Sequence, residues 1–196
     1  MIKVGITGGI ASGKSTICHI FTMLDVPVYN SDSRAQQLML SDNSIINSLK
    51  DTFGNDIYES NGILNKVKLS KLVFNSDETR QKINSIVHPA VRIDFHKWAE
   101  QYKNKKAYVI QESAILFETG IWKNLDLIIT VTCPLNERIE RIIKRNNCSI
   151  DEAKNMINSQ MSDKEKTEKS TFVIESSTNK LVIKNIINIH NKIIKT

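Results

Sequence analysis

Short apolar segments recur along the chain, and this pattern predicts five strands. Ile2, Val4 and Ile6 alternate in the first of them. The other four predicted strands lie at residues 26–29, 107–111, 127–132 and 172–174. Between the strands, apolar residues recur at helical spacing, and strands that alternate with helices form parallel sheets covered on both faces. The pattern therefore predicts an α/β fold of three layers, α/β/α, around a five-stranded parallel sheet.

The segment between the second and third strands differs from the rest, because its pattern is helical almost throughout, from about residue 41 to 104. A stripe of large side chains after His88-Pro89 is predicted to be buried: Val91, Phe95, Trp98 and Tyr102. Further along, Ser149 and Glu152 have the spacing of a capping box that begins a helix. The densely charged stretch at residues 163–169 is predicted to be a solvated helix face or a mobile lid.

The composition excludes several classes of protein. The 196 residues are 40% apolar and 24% charged, which suits a globular protein with one main core. The net charge of +6 attracts anions, but no dense Lys/Arg block with interleaved aromatics indicates a nucleic-acid tract. Three widely spaced cysteines give neither a disulfide framework nor a zinc pattern, and neither a signal peptide nor a run of membrane-spanning length is evident. We therefore expect a cytoplasmic protein without a nucleic-acid or membrane partner. The sequence does not give the oligomeric state, for which a monomer is the expectation.

A glycine-rich loop follows the first strand and precedes a helical segment. Residues 8–15 match the motif G-x-x-x-x-G-K-[ST], whose backbone N–H groups cradle phosphates beside a helix N-terminus. Lys14 is predicted to reach the β- and γ-phosphates of ATP, Ser15 to bind Mg²⁺, and Thr16 to support the α-phosphate. The predicted nucleotide-binding residues of this loop are Ala11, Ser12, Gly13, Lys14, Ser15 and Thr16. Two alternatives are a glycine turn without a ligand and a dinucleotide-binding loop, although the spacing is not G-x-G-x-x-G.

Carboxylates at the ends of the second and third strands are candidates for chemistry. The carboxyl ends of parallel strands share one edge of the sheet, so Asp32 is expected to face the γ-phosphate region. There it is suited to take the proton of an acceptor hydroxyl, while the alternative role is that of a helix N-cap. Glu112 ends the third strand and is a candidate for the Mg²⁺ site, unless it is simply solvated.

Three arginines share one predicted helix face, because Arg138, Arg141 and Arg145 are spaced i, i+3, i+7. Cations that close over a transferring phosphoryl group stabilise its charge, so we predict that Arg141 and Arg145 serve a lid. The alternative is an ordinary solvated row of charges. His88 precedes a proline and is interpreted as an acceptor-site contact rather than as the base, with a structural role as the alternative.

These residues resemble the dephospho-CoA kinases along nearly the whole chain. The segment from Ile6 to Thr16 is very similar to that family's L-T-G-G-I-G-S-G-K-S-T. The other matching segments are Asn30-Ser31-Asp32 for D-A-D, Arg34-Ala35 for A-R, His88-Pro89 for H-P, Ala114–Glu118 for P-L-L-F-E, Arg141 and Arg145 for R-x-x-x-R, and Gln160 for a later Gln.

The resemblance implies a P-loop NTPase fold of the nucleoside-monophosphate-kinase type in one kinase unit. Its core would comprise residues 1–39, 105–139 and 166–196, its helical acceptor-binding region 40–104, and its lid 140–165. The implied reaction is ATP-dependent phosphorylation of the ribose 3′-hydroxyl of dephospho-CoA, which gives coenzyme A and ADP. The implied catalytic residues are Asp32 as base, Lys14 and Arg141, with Arg145 on the nucleotide; Asp32, Arg34 and His88 would contact the acceptor.

Three departures from the family pattern leave parts of the site open. Asn30 replaces the first acid of D-A-D, and Ala114 replaces a proline. The late D-x-V-I-D-N-x-G segment reads Thr171 to Ser177 here as T-F-V-I-E-S-S, so adenine contacts of the 175–178 loop do not carry over.

Two rival functions remain at this stage. One is a P-loop kinase for another acceptor, such as a nucleotide, shikimate or a sugar acid. The other is a nucleotide-dependent switch or nucleic-acid-associated ATPase, although no N-K-x-D motif for base recognition is evident.

Overall fold

Two units divide the protein in the computed structural model, which describes residues 1–177 and 181–196. The first unit joins Met1–Asn30 to Gln101–Thr196, and the second is Ser31–Glu100. The strands of the first unit are β1 (Ile2–Thr7), β2 (Val28–Asn30), β3 (Tyr108–Glu112), β4 (Leu127–Thr132) and β5 (Phe172–Glu175). Its helices are α1 (Lys14–Met23), α6 (Leu135–Asn146), α7 (Ile150–Asn158), α8 (Asp163–Glu168) and α9 (Val182–Ile194). The second unit holds α2 (Ser31–Ser41), α3 (Asn43–Phe53), α4 (Lys66–Asn75) and α5 (Asp77–Glu100).

The five strands form one parallel sheet in the order β2-β3-β1-β4-β5, which confirms the predicted fold class. β1 is central, and the chain reaches β2 and β3 on one side of it and β4 and β5 on the other. The strand order therefore reverses beside β1. In open α/β sheets ligands bind at such a switch point, outside the carboxyl ends of the strands, so the glycine loop after β1 lies where a ligand site is expected.

Apolar residues cover both faces of this sheet. On one face, Ile17 and Phe21 of α1 and Ile189 of α9 pack in one buried cluster with Val4 and Ile129 of the strands. On the other face lies a second cluster, formed by Leu116, Phe117, Ile121 and Ile128. Burial on both faces explains why the strands are apolar over most of their length, and it fixes the sheet edge that carries the loop.

The second unit consists of helices, as predicted for this part of the chain. Val91 and Phe95 of α5 are buried, as the predicted stripe requires, whereas Trp98 and Tyr102 are only half-buried. α5 is a single helix of 24 residues that passes through Pro89. Residues 31–39, which are predicted to belong to the core, instead form most of α2. α2 packs against α3 and α5 and therefore belongs to the second unit.

Other local predictions can be compared with the structure directly. The capping box at Ser149 and Glu152 is confirmed at the start of α7. The charged stretch at 163–169 is only partly a solvated face, because the side chain of Lys166 is completely buried. Within residues 1–177 and 181–196, no helix combines the length and the apolar character that crossing a membrane requires.

Candidate functional site

The glycine loop joins the end of β1 to the start of α1 and is shaped by close packing. Gly13 caps α1 with a φ of 90°, a conformation that L side chains rarely adopt. A Cβ at Gly13 would also lie 2.6 Å from Oγ of Ser176, so the position has no room for a side chain. The backbone N–H groups at the start of α1 are thereby presented at the carboxyl edge of the sheet, which is the arrangement that binds anions.

Lys14 is the first residue of α1, and its side chain folds back along the loop. Its side chain is buried, and its ammonium donates hydrogen bonds to the carbonyl oxygens of Gly8 at 2.9 Å and Gly9 at 3.2 Å. Burial of a cation within the loop raises the local positive potential. The negative charge of a polyphosphate bound at the loop would complement this positive potential.

Two hydroxyls at the loop have unsatisfied hydrogen-bonding capacity. Within the described part of the chain, Oγ1 of Thr7 and Oγ of Ser12 are buried and have no hydrogen-bond partner. Leaving a buried hydroxyl unpaired costs about 1–3 kcal/mol. A phosphate oxygen is a fitting partner for such a group. Ser15 and Thr16, by contrast, are exposed at the start of α1.

Oxygen donors near the loop fit a hard cation such as Mg²⁺. The carboxylate of Glu112 is buried at the end of β3, and its charge and that of Lys14 both act on the pKa of Cys18 in α1. Burial raises that pKa most, Glu112 raises it further, and Lys14 lowers it. Among the described residues, no cluster of three His, Cys, Asp or Glu side chains forms a metal cage.

Asn30, which stands where the D-A-D motif has its first aspartate, is hydrogen-bonded to Glu112 of the first unit. Asn30 and Glu112 are in register on adjacent strands, and Nδ2 of Asn30 donates a hydrogen bond to Oε2 of Glu112. An aspartate at residue 30 would place two carboxylates side by side. The amide instead satisfies one oxygen of Glu112 and fixes its orientation.

The three arginines of α6 have different surroundings, although the sequence gives them one helix face. Arg141 donates from one guanidinium nitrogen to the carbonyl of Ala11 at 3.2 Å and from the other to Oε2 of Glu137 at 2.9 Å. Arg145 is exposed and donates to Asn146. The structure thus brings Arg141 to the loop, whereas the hydrogen bond of Arg145 is made within its own helix.

Sequence reasoning missed Arg138, the most deeply buried of the three. It is 4% exposed, and it bonds the carbonyl of Ile10 at 2.9 Å and Oδ2 of Asp163 at 2.8 Å. Gln160, which only the resemblance indicated, accepts a hydrogen bond of 2.7 Å from the backbone N–H of Ile10. The i, i+3 spacing to Arg141 was the one sequence signal for Arg138, and it did not separate a buried arginine from an exposed one.

The predicted acceptor residues all lie in the second unit. Asp32 is exposed in the first turn of α2, two residues after the end of β2. Arg34 makes a bidentate ion pair with Asp94, with N–O distances of 2.8 and 2.6 Å. Burial lowers the pKa of His88, and the charge of Arg92 lowers it further, so the neutral form of its imidazole is favoured.

Concave surfaces occur among the described residues of both units. In the second unit a groove of about 610 Å³ runs between α2, α3 and α5, and Asp94, the partner of Arg34, lines it together with Lys97. In the first unit a hollow of about 360 Å³ lies beyond the ends of β4 and β5, next to Glu175 and Leu181. This hollow adjoins the predicted adenine loop, of which residue 178 lies outside the described residues.

Comparison with known proteins agrees with these observations. The family model described as dephospho-CoA kinase matches residues 2–181. A dephospho-CoA kinase of Bacteroides fragilis is 39% identical over 186 residues, which cover 95% of this chain and 90% of that protein. A crystal structure from Thermus thermophilus has a TM-score of 0.83 at 28% identity and covers 97% of this chain and 96% of its own.

The likeness extends to a dephospho-CoA kinase of Campylobacter jejuni, whose structure has a TM-score of 0.72 at 23% identity and covers 98% of this chain and 97% of that one. At that identity the structure supports the fold alone. The family model and the Bacteroides relative extend along nearly the whole sequence. The chain therefore belongs to the dephospho-CoA kinase family.

Proposed function

We propose that the protein transfers the γ-phosphate of ATP to the ribose 3′-hydroxyl of dephospho-CoA and so produces coenzyme A and ADP. The observation that carries this proposal is the phosphate loop with its buried Lys14, in a chain that matches the family model over residues 2–181. The match selects the acceptor among the small molecules that P-loop kinases phosphorylate. The reaction would be the last step of coenzyme A synthesis.

The first unit supplies the groups that would hold ATP. Backbone N–H groups of residues 11–16, which lead into the N-terminus of α1, are proposed to hold the phosphates, and Lys14 adds a full positive charge. During transfer, negative charge spreads over the oxygens of the phosphoryl group, and fixed cations stabilise it. Arg141 is the second cation in place for this role, because its guanidinium already contacts the loop at Ala11.

Mg²⁺, bound with ATP, would neutralise part of the phosphate charge. Ser15 and Glu112 are the residues proposed to hold it, Ser15 through its exposed hydroxyl and Glu112 through the buried carboxylate that Asn30 orients. Hard oxygen donors of this kind suit Mg²⁺, with the remaining positions taken by phosphate oxygens and water.

The second unit would supply the acceptor side. Asp32 is the proposed base: an exposed carboxylate in the first turn of α2, suited to accept the proton of the attacking hydroxyl. His88 and Arg34 are proposed to contact the acceptor. The groove between α2, α3 and α5 is large enough to hold part of a long substrate, since small-molecule sites commonly measure about 300–1,000 Å³.

Product identification tests this proposal directly. The protein is incubated with Mg·ATP and dephospho-CoA, and the products are separated and identified, with ADP release followed in parallel. Shikimate, a sugar acid and a nucleoside monophosphate serve as alternative acceptors. Coenzyme A and ADP in equal amounts are expected, whereas turnover with another acceptor and none with dephospho-CoA would refute the assignment. We further propose that the enzyme acts in the cytoplasm and that it is a monomer. Sedimentation of the purified protein would test the monomeric state.

A further inference from the structure

Arg138 stands out because it is buried beside the phosphate loop and bonded on two sides. Its Nε donates to the carbonyl of Ile10 at 2.9 Å, and its Nη1 makes an ion pair with Asp163 at 2.8 Å. The side chain of Arg138 is 5% exposed and that of Asp163 is 27% exposed. Both bonds join elements that are distant in sequence. The guanidinium is therefore held between the loop and α8.

The loop is built around this guanidinium. A Cβ added at Gly9 would lie 2.1 Å from Nη2 of Arg138 and 2.6 Å from its Cζ. Real Cβ contacts are not that short, so a side chain at Gly9 would displace the guanidinium. Gly9 does not have a positive φ. Its need for glycine therefore comes from the approach of Arg138 and not from the backbone conformation.

The peptide groups of Ile10 are fixed from both sides. Its carbonyl accepts from Arg138, and its N–H donates to Oε1 of Gln160 at 2.7 Å. Ile10 lies in the middle of the loop, between Gly9 and Ala11, and the carbonyl of Ala11 accepts from Arg141. These contacts set the directions in which the neighbouring N–H groups point.

We propose that Arg138 is a positioning residue that clamps the phosphate loop in its nucleotide-binding shape, and that Asp163 anchors the clamp in α8. The clamp holds the loop through Ile10 and occupies the space beside Gly9. Preorganised donors bind phosphate more tightly than donors that must first be ordered. The inference rests on the proposed use of the loop to bind ATP, but not on the identity of the acceptor.

A purely electrostatic role for Arg138 makes a different prediction. If Arg138 acted only through its charge, Asp163 would weaken ATP binding by partly neutralising it, and Asp163→Ala would tighten that binding. If Asp163 anchors the clamp, Asp163→Ala releases the guanidinium from α8 and weakens ATP binding. The sign of the change therefore separates the two roles.

The first experiment measures Mg·ATP affinity by calorimetry for the full chain, without acceptor. The loss of a hydrogen bond to a charged group changes an equilibrium constant such as the Kd about tenfold. Arg138→Ala and Asp163→Ala are each expected to raise the Kd for Mg·ATP about tenfold. Lys144→Gln removes a charge from the exposed face of the same helix and is expected to leave the Kd within about twofold of the unchanged protein.

Hydrogen exchange of the loop provides a readout that the charge of Arg138 alone would not change. In the nucleotide-free protein, the Ile10 amide should exchange about tenfold faster in Arg138→Ala and in Asp163→Ala. Amides in β4 should keep their rates. Unchanged exchange at Ile10, or tighter ATP binding in Asp163→Ala, would overturn the proposal.

A double-mutant cycle between Gly9 and Arg138 tests the packing argument. Gly9→Ala is expected to weaken Mg·ATP binding about tenfold in the otherwise unchanged protein, and less than about twofold when Arg138→Ala is already present. Equal losses in both backgrounds would show that the Cβ obstructs phosphate itself and would refute the clamp. If Arg138→Ala fails to fold, Arg138→Gln takes its place in the cycle. Failure to phosphorylate dephospho-CoA would overturn the proposed function and leave these binding results unaffected.

Discussion

Lys166 offers the sharpest test of how the first unit holds α8 in place. Its side chain is completely buried, and its ammonium donates to the carbonyl of Ala114 and to Oε1 of Glu118, each at 3.0 Å. The same carboxylate oxygen accepts from the backbone N–H of Met161 at 3.1 Å. Lys166→Met keeps the apolar stem and removes the charge, so it removes the ion pair with Glu118 and the hydrogen bond to Ala114 with little change in packing.

The magnitude follows from the exposure of the two partners. Removing one partner of a buried ion pair costs about 3–5 kcal/mol, because the other charge stays buried without compensation. The side chain of Glu118 is 26% exposed, so water solvates part of its charge after the substitution. We therefore expect the lower end of that range, about 3 kcal/mol. For a protein of this size this lowers Tm by about 6–12 °C.

Thermal and urea unfolding at pH 7 measure this change. Lys164→Met removes an exposed lysine from the same helix and serves as the control, with an expected change within about 0.5 kcal/mol. Adding Glu118→Gln to Lys166→Met should recover at least half of the loss, since the uncompensated charge is then gone. A Lys166→Met protein as stable as the Lys164→Met control would refute the reasoning from burial.

Four further predictions concern the site and its stability. Asp32→Asn should lower kcat about 10²–10⁴-fold with unchanged ATP affinity, and a near-normal rate would exclude Asp32 as the base. Arg141→Gln should lower kcat more than it raises the KM for the acceptor; steady-state kinetics showing only a KM effect would contradict a role in transfer. Ala11 has a φ of 60°, a conformation that strains an L side chain by about 1–2 kcal/mol. Because this strain exceeds the entropic cost of glycine, Ala11→Gly should raise the free energy of unfolding by about 0.5 kcal/mol. Urea titrations measure the change, and a lower free energy of unfolding would contradict the reasoning. Burial lowers the pKa of His190 below 6.5, so the stability that its neutral form contributes is complete above pH 6.5 and is lost as pH falls through the folded-state pKa. His190→Gln should therefore make Tm fall less steeply over that pH range. The same dependence of Tm on pH in both proteins would contradict the assignment.

The sequence by itself determined the features that depend on neighbouring residues. Short apolar segments located the strands, because a strand buried on both faces is apolar over most of its length. The phosphate loop was identified for the same reason: its glycines, Lys14 and Ser15 act within one turn of chain and need no distant partner to be recognised. The capping box at Ser149 is equally local.

Only the tertiary structure decided which charged side chains are buried. Arg138 and Arg145 look alike on one helix face, but Arg138 meets the loop and Asp163, whereas Arg145 lies in solvent. Lys166, in a stretch predicted to be solvated or mobile, is completely buried against Glu118. Burial of a charge requires a compensating partner, and each of these partners comes from a part of the chain far away in sequence. Local pattern carries no information about such partners, so the fold had to bring them together before their roles became visible.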